Sequence, residues 1–226
     1  MLKVYRAEKT NKLTQGFDGN IPCAKLDANG YPIRPFIIVN GTDNFTCPVG
    51  YTKLYPAVGL ISHGGYDWAL WRGEPIYFNV VDGNLNKIKG RAYTEIDKDG
   101  GKGVDVVFQD PDTKEWFKIR YWHLLEQKIY DGQEVESGQL LGLGDSTGAS
   151  SGDHEHEGFK PLNSSTKEDL KFPNNGWYGG VDIAKYPNII YYPSDFILDI
   201  LNLKQQLTLL QQLVKLYNLL IQAFKK

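Results

Sequence analysis

Between Leu13 and Tyr192, Gly, Pro, Asn and Asp recur so often that apolar residues are confined to short runs. Helices of ordinary length find little room between such breakers, and the pattern favours β-structure. Pro75 to Val81 (PIYFNVV) meets a turn signal at Asp82-Gly83. Val104 to Gln109 (VDVVFQ) leads through a turn rich in Asp and Pro into Trp116 to His123 (WFKIRYWH). These runs are expected as hairpin strands. Strict alternation in the last of them assigns Phe117, Ile119, Tyr121 and His123 to one face and Trp116, Lys118, Arg120 and Trp122 to the other.

The character changes at Ser194. Ser194 and Asp195 form a plausible N-cap, and neither Gly nor Pro follows before Lys226. A long helix is expected over 194–226, set off from a body spanning 1–193. Phe196, Ile200, Leu203, Leu207, Leu210, Val214, Tyr217, Ile221 and Phe224 alternate four and three apart, the seam of a heptad pattern. A second row, Leu209, Leu213, Leu216, Leu220 and Ala223, widens that face and predicts burial on two sides. Lys204, Lys215 and the Gln-rich opposite face interrupt the run too often for a transmembrane span. Self-association, docking on a partner or on the chain's own body, and contact with a membrane surface remain the readings of this helix.

With 226 residues, 41% of them hydrophobic, 23% charged and a net charge of -2, the chain has the make-up of one globular catalytic domain with an appendage. It has no basic footprint for nucleic acid and no polybasic anchor. Met1 to Leu13 carries Lys3, Arg6, Glu8, Lys9 and Lys12 and lacks the apolar core of a signal peptide, so Sec export is not expected. Cys23 and Cys47 lie outside any CxxC motif and are read as structural, either paired or as two free thiols.

The chemistry resides in four histidines, three of which fall in two short motifs. In His63-Gly64-Gly65-Tyr66-Asp67, an imidazole and a carboxylate stand four apart, with two glycines that let the backbone turn so that both converge. Taken alone, such a pair is more often a loop hydrogen bond than a ligand pair. In His154-Glu155-His156, a strand would send both imidazoles to one face. Taken alone, this is more often an exposed strand. Together the motifs supply two imidazoles and a carboxylate, a set that binds zinc and leaves its fourth position open for catalysis. Gly158 stands four positions after His154, which excludes HExxH; a histidine or a remote carboxylate must handle protons.

HGGYD at 63–67, YWHL at 121–124 and GQEVESGQLLGLGDSTGASSGDHEH at 132–156 resemble, in order and approximate spacing, the lysostaphin-type zinc endopeptidases of bacterial cell walls. LTQGFDGN at 13–20 is similar to that family's opening strand, and GEPIYFNVVDG at 73–83 to the strand and turn after its first motif. The resemblance implies a mainly β fold, with an antiparallel sheet forming a groove in which His63, Asp67 and His156 bind Zn2+. It matches His123 and His154 to the two histidines that activate water and stabilise the oxyanion. It also implies bacterial peptidoglycan as substrate, cleaved at peptide bonds of stems or cross-bridges.

The sequence reads HEHEG where the family usually has an apolar residue between the histidines. Glu155 would point away from the zinc, toward a solvated face or a buried Lys or Arg. The long segment between Gly19 and Leu60 is expected as a wall or lid of the groove. Tyr66, Trp68, Trp71, Tyr121 and Trp122 are read mostly as packing. A wall-active fold without a signal peptide points to a phage lysin or virion-associated lysin, cytoplasmic until release or carried by the virion. In the second case the helix would join copies of the chain or a virion partner. The alternative is a non-catalytic wall-binding or structural virion protein; the filled ligand positions favour the enzyme.

Overall fold

The computed structural model describes residues 1–10, 12–17, 63–163 and 180–224. Cys23, Cys47 and the expected wall or lid between Gly19 and Leu60 lie outside them. The described residues form a mainly β structure followed by one long helix.

The principal sheet is antiparallel throughout. Its seven strands run, from one edge to the other, β10 (Gln133–Glu136), β6 (Lys89–Asp97), β7 (Gly101–Gln109), β8 (Trp116–Trp122), β12 (His154–Leu162), β3 (Tyr66–Ala69) and β2 (Leu13–Gln15). The VDVVFQ and WFKIRYW runs pair as expected, with Val106 opposite Ile119. A second sheet orders β13 (Ile189–Phe196), β1 (Leu2–Arg6) and β5 (Val80–Val81), with β1 parallel to β13. The third orders β4 (Pro75–Tyr77), β11 (Leu140–Gly144) and β9 (Leu124–Gln127). PIYFNVV is therefore two strands in two sheets. Buried Phe78 and Asn79 separate them, and Phe78 bonds through its backbone to Gln139 and Gly138.

One face of the principal sheet makes the core. Val104, Val106 and Phe108 from β7, Phe117, Ile119 and Tyr121 from β8, and Phe159 from β12 pack with Leu2, Val4, Ile76 and Phe78, all nearly inaccessible. Burying a side chain of this size contributes roughly 1.5–3 kcal/mol, so this face sets the register of the strands it packs against. The opposite face of β8 and β12 forms the floor of a groove. Across it, His156 pairs with Trp122 and Gly158 with Arg120. Arg120 grips Asp105 of β7 through Nε–Oδ1 at 2.9 Å and Nη2–Oδ2 at 2.8 Å, and its guanidinium lies 5.0 Å over the Trp122 ring. These contacts stiffen the floor beside the histidines.

The helix, α1 (Ile197–Phe224), starts later than the sequence suggests. Ser194 and Asp195 belong to β13, at the irregularity where its pairing with β1 jumps from Tyr192 to Phe196, and Arg6 Nη2 donates to Ser194 O at 3.3 Å. Pairing that resumes at Phe196 carries the strand past both residues and overrides the local capping preference. Burial on two sides is also absent: Ile197 is buried, and Leu198, Ile200 and Leu201 pack on Tyr5, Val81 and Phe196, whereas the large apolar residues from Leu203 to Leu220 are exposed. No helix among the described residues is long and apolar enough to cross a membrane.

Candidate metal centre

Strand register assembles half of the centre. β12 pairs with β3 so that His156 lies directly opposite Asp67, with both side chains on the groove face. The HGG segment before β3 folds His63 back onto that pair, in keeping with the expectation from its glycines. At Gly65 a Cβ would stand 2.3 Å from Glu157 O and 2.7 Å from His156 Nε2, closer than any side chain tolerates. Glycine here lets the motif lie flat against the strand that bears the second imidazole.

Three atoms converge. His63 Nε2 lies 3.0 Å from Asp67 Oδ1 and 2.9 Å from His156 Nδ1, which lies 2.9 Å from Asp67 Oδ1. Among the described residues these three form the one group with metal-ligating geometry. His63 Nδ1 sits 2.8 Å from Gly16 O, which assigns its proton to Nδ1 and leaves the Nε2 lone pair aimed at the cluster. Burial would push the Asp67 carboxyl up, but whenever His156 or His63 brings a proton into the cluster, its hydrogen bond holds that carboxyl well below the usual carboxylate range. Burial also lowers the His156 pKa, favouring a neutral ring. Two lone-pair nitrogens and an ionised carboxylate within 3.0 Å of one another repel unless a proton or cation lies among them. The donor set suits Zn2+.

The other two histidines stand beside this cluster. His154 Nε2 lies 3.6 Å from Asp67 Oδ2, and the His123 and His154 rings lie 4.5 Å apart between centroids. Each turns its Nδ1 to a backbone carbonyl, His154 to Gly152 O and His123 to Thr147 O, both at 2.7 Å. That fixes the proton on Nδ1 and presents Nε2 as the free lone pair. Burial pushes the His123 pKa down to about 4.

Alternation predicted His123 on the same face as Phe117, Ile119 and Tyr121. The structure puts it in the groove instead, because its φ of 65° breaks the strand after Trp122 and swings the side chain to the histidine side. A positive φ at a non-glycine residue is uncommon and strained. It is maintained by Thr147, whose carbonyl takes the imidazole proton and whose hydroxyl donates to Leu124 O at 2.9 Å. Gly101, at φ 70°, leaves room for Thr147: a Cβ there would lie 2.4 Å from Thr147 Oγ1.

Behind the centre, Glu155 finds neither of its expected environments. It is fully buried, and among the described residues neither oxygen has a hydrogen-bond partner. Burial first, and then the neighbouring Glu157 and Glu8, push its pKa well above the carboxylate range. Among the described residues it is thus neither solvated nor paired with a cation, and its surroundings favour the neutral acid.

The groove has a volume of about 480 Å3 and is lined by all four histidines, Asp67, Gln15, Trp122, Arg120 and the hairpin residues Asp97 and Asp99. Trp122, read as packing, therefore walls the site. The carbonyls of Gly16, Thr147 and Gly152 also escaped the sequence reading, since backbone acceptors leave no residue-type signal. Trp68 and Tyr121 are core as expected, while Trp71 is exposed.

No family model matches the chain. Over 105 residues it is 31% identical to the peptidoglycan DD-endopeptidase ShyA of Vibrio cholerae, covering 46% of this chain and 22% of that protein. Over 113 residues it is 29% identical to an uncharacterized metalloprotease of Haemophilus influenzae, covering 50% and 22%. The chain thus spans about a fifth of the length of these curated relatives. The catalytic domain of lysostaphin from Staphylococcus simulans aligns at 23% identity and a TM-score of 0.36, over 47% of this chain and 74% of that one. Over about half of its length the chain is thus similar in sequence to two bacterial proteins described as a peptidoglycan DD-endopeptidase and a metalloprotease.

Proposed function

We propose that the chain is a zinc-dependent endopeptidase that hydrolyses peptide bonds in bacterial peptidoglycan stems or cross-bridges. The observation that carries this reading is the convergence of His63 Nε2, Asp67 Oδ1 and His156 Nδ1, flanked by two further imidazoles in an open groove. His63, Asp67 and His156 hold the metal. When bound, Zn2+ acidifies water and polarises the scissile carbonyl.

The protein's own part is proton handling and orientation. His123 and His154 both offer Nε2 to the groove, and both are locked by a carbonyl at Nδ1. One takes a proton from the attacking water; the other, once protonated, donates to the developing oxyanion. Trp122 and Arg120 hold the peptide against the floor of the groove. The likeness to a peptidoglycan endopeptidase over 46% of the chain supports the choice of substrate. The setting we propose is a phage lysin or virion-associated lysin, to which α1 adds an attachment surface.

Digestion of purified sacculi, with mass spectrometry of the released peptides and metal analysis of the protein, tests the reading. Stem or bridge fragments should appear, and they should vanish with chelator and return with zinc. A metal-free protein that binds sacculi and releases nothing would sink it in favour of a non-catalytic wall-binding role.

A further inference from the structure

We infer that α1 assembles this chain with further copies of itself, in a bundle of more than two helices. The inference is independent of the peptidase reading. Among the described residues only the first turns of α1 pack on the body, and Lys204 ties the helix there through Asn86 Oδ1 at 2.7 Å. Beyond that point ten large apolar residues, from Leu203 at 52% to Leu220 at 50%, have half or more of their surface exposed. Together they expose on the order of 1,000 Å2, on the scale of the roughly 800 Å2 that each partner brings to a stable complex.

What covers this face follows from its spacing and its charge. The four-three alternation that runs from Ile200 through Leu207, Leu210 and Val214 to Ile221 is the seam of a coiled coil, and its complement is a helix with the same spacing. A second copy has that spacing by construction. Between Ile200 and Gln222 the only charged residues are Lys204 and Lys215, so the helix carries no pattern of charge that would select a different partner. A sheet or a loop would match alternation of this kind over only a turn or two.

The number of copies follows from the width of the face. In a two-stranded coil the seam alone is covered. Leu209, Leu213, Leu216 and Leu220 stand one position before seam residues, and these flanking columns would stay bare. With three or more helices each one contacts two neighbours, and both sets of columns are covered. Gln205 and Gln212, on the opposite side, face water in such a bundle, and Leu219 shares their column.

Sedimentation equilibrium of the full chain at micromolar concentration tests this. The expected mass is that of three or four chains, falling three- to fourfold to the monomer in Leu207→Glu/Leu210→Glu. Gln205→Glu/Gln212→Glu, which adds the same charge on the polar side, should keep the assembled mass. A wild-type monomer or dimer would overturn the inference, as would an assembly that survives Leu207→Glu/Leu210→Glu or is lost in the glutamine variant. A monomer that becomes protected only on adding phospholipid vesicles would point to a membrane surface instead.

Discussion

Strand β12 places two imidazoles on one face, His154 and His156 toward the groove, and two carboxyls on the other, Glu155 and Glu157 toward the core, and the two faces treat their polar atoms in opposite ways. On the groove face the key nitrogens have assigned partners: a carbonyl for His154 Nδ1, and Asp67 and His63 for His156 Nδ1. On the core face, among the described residues, Glu155 has none, and Glu157 has the Asn79 amide at Oε1, at 3.1 Å. The histidines are half-buried at the groove whereas the glutamates are sealed in the core, so both depth and available partners separate the two faces. Where partners converge, charge is kept and chemistry becomes available. Where they do not, the carboxyls take up protons.

The largest contrast should appear on the groove face. His63→Ala or Asp67→Ala should lose metal and sacculus digestion together, read by metal analysis and peptide release; activity without bound metal would break the ligand assignment. His154→Ala should retain zinc and lose turnover roughly 10²- to 10⁴-fold. Near-wild-type turnover in that variant would remove His154 from the machinery.

Gly65→Ala links the two faces, because its added methyl meets both the Glu157 carbonyl and the His156 ring. A loss of metal affinity of about 10- to 100-fold is expected in a metal competition titration. Wild-type affinity would show that the HGG segment has slack there.

The core face should reveal itself through pH. Burial, with Glu157 beside it, raises the Glu8 pKa from 4.5 to about 8, and burial raises Glu157 likewise. Between those pH values the folded chain keeps protons that the unfolded chain has released. The stability these groups contribute is therefore complete below about pH 4.5 and is lost as pH climbs through 8. Chelator-treated protein should unfold at lower denaturant at pH 8 than at pH 5.5, with a shallower trend in Glu8→Gln; the opposite slope would mean that these acids are ionised. Chelation matters to the test, since metal binding by imidazoles strengthens as pH rises. The smallest effect is expected from Glu155→Leu, which removes an unpartnered buried carboxyl and should leave metal content unchanged while stabilising by about 1–3 kcal/mol in denaturant melts.

Much of this molecule was legible as pattern. Breakers and short apolar runs read as strands, and β7 and β8 pair as drawn. Two weak motifs on separate segments converge at one point, because a glycine turn and a two-residue strand period are local rules that the residues themselves carry. β1 went unread. Its LKVYR run is short and partly charged, and its burial comes from pairing with β13 and β5, remote in sequence.

Sequence by itself determined the strand-rich body, the long final helix, and which imidazoles and carboxylate could share a site. Tertiary structure decided where those groups point and what their surroundings do to them. His123 reaches the groove only through a positive φ held by Thr147, a residue whose part in this is played by a backbone carbonyl. Ser194 stayed in the strand rather than capping the helix because β13 resumes its pairing with β1 beyond it, at Phe196. Glu155 became a neutral acid because the far side of β12 is sealed by the core. In each case the deciding partner lies far away in the chain, and its contribution is a distance, a hydrogen bond or the exclusion of water, none of which is written in residue type.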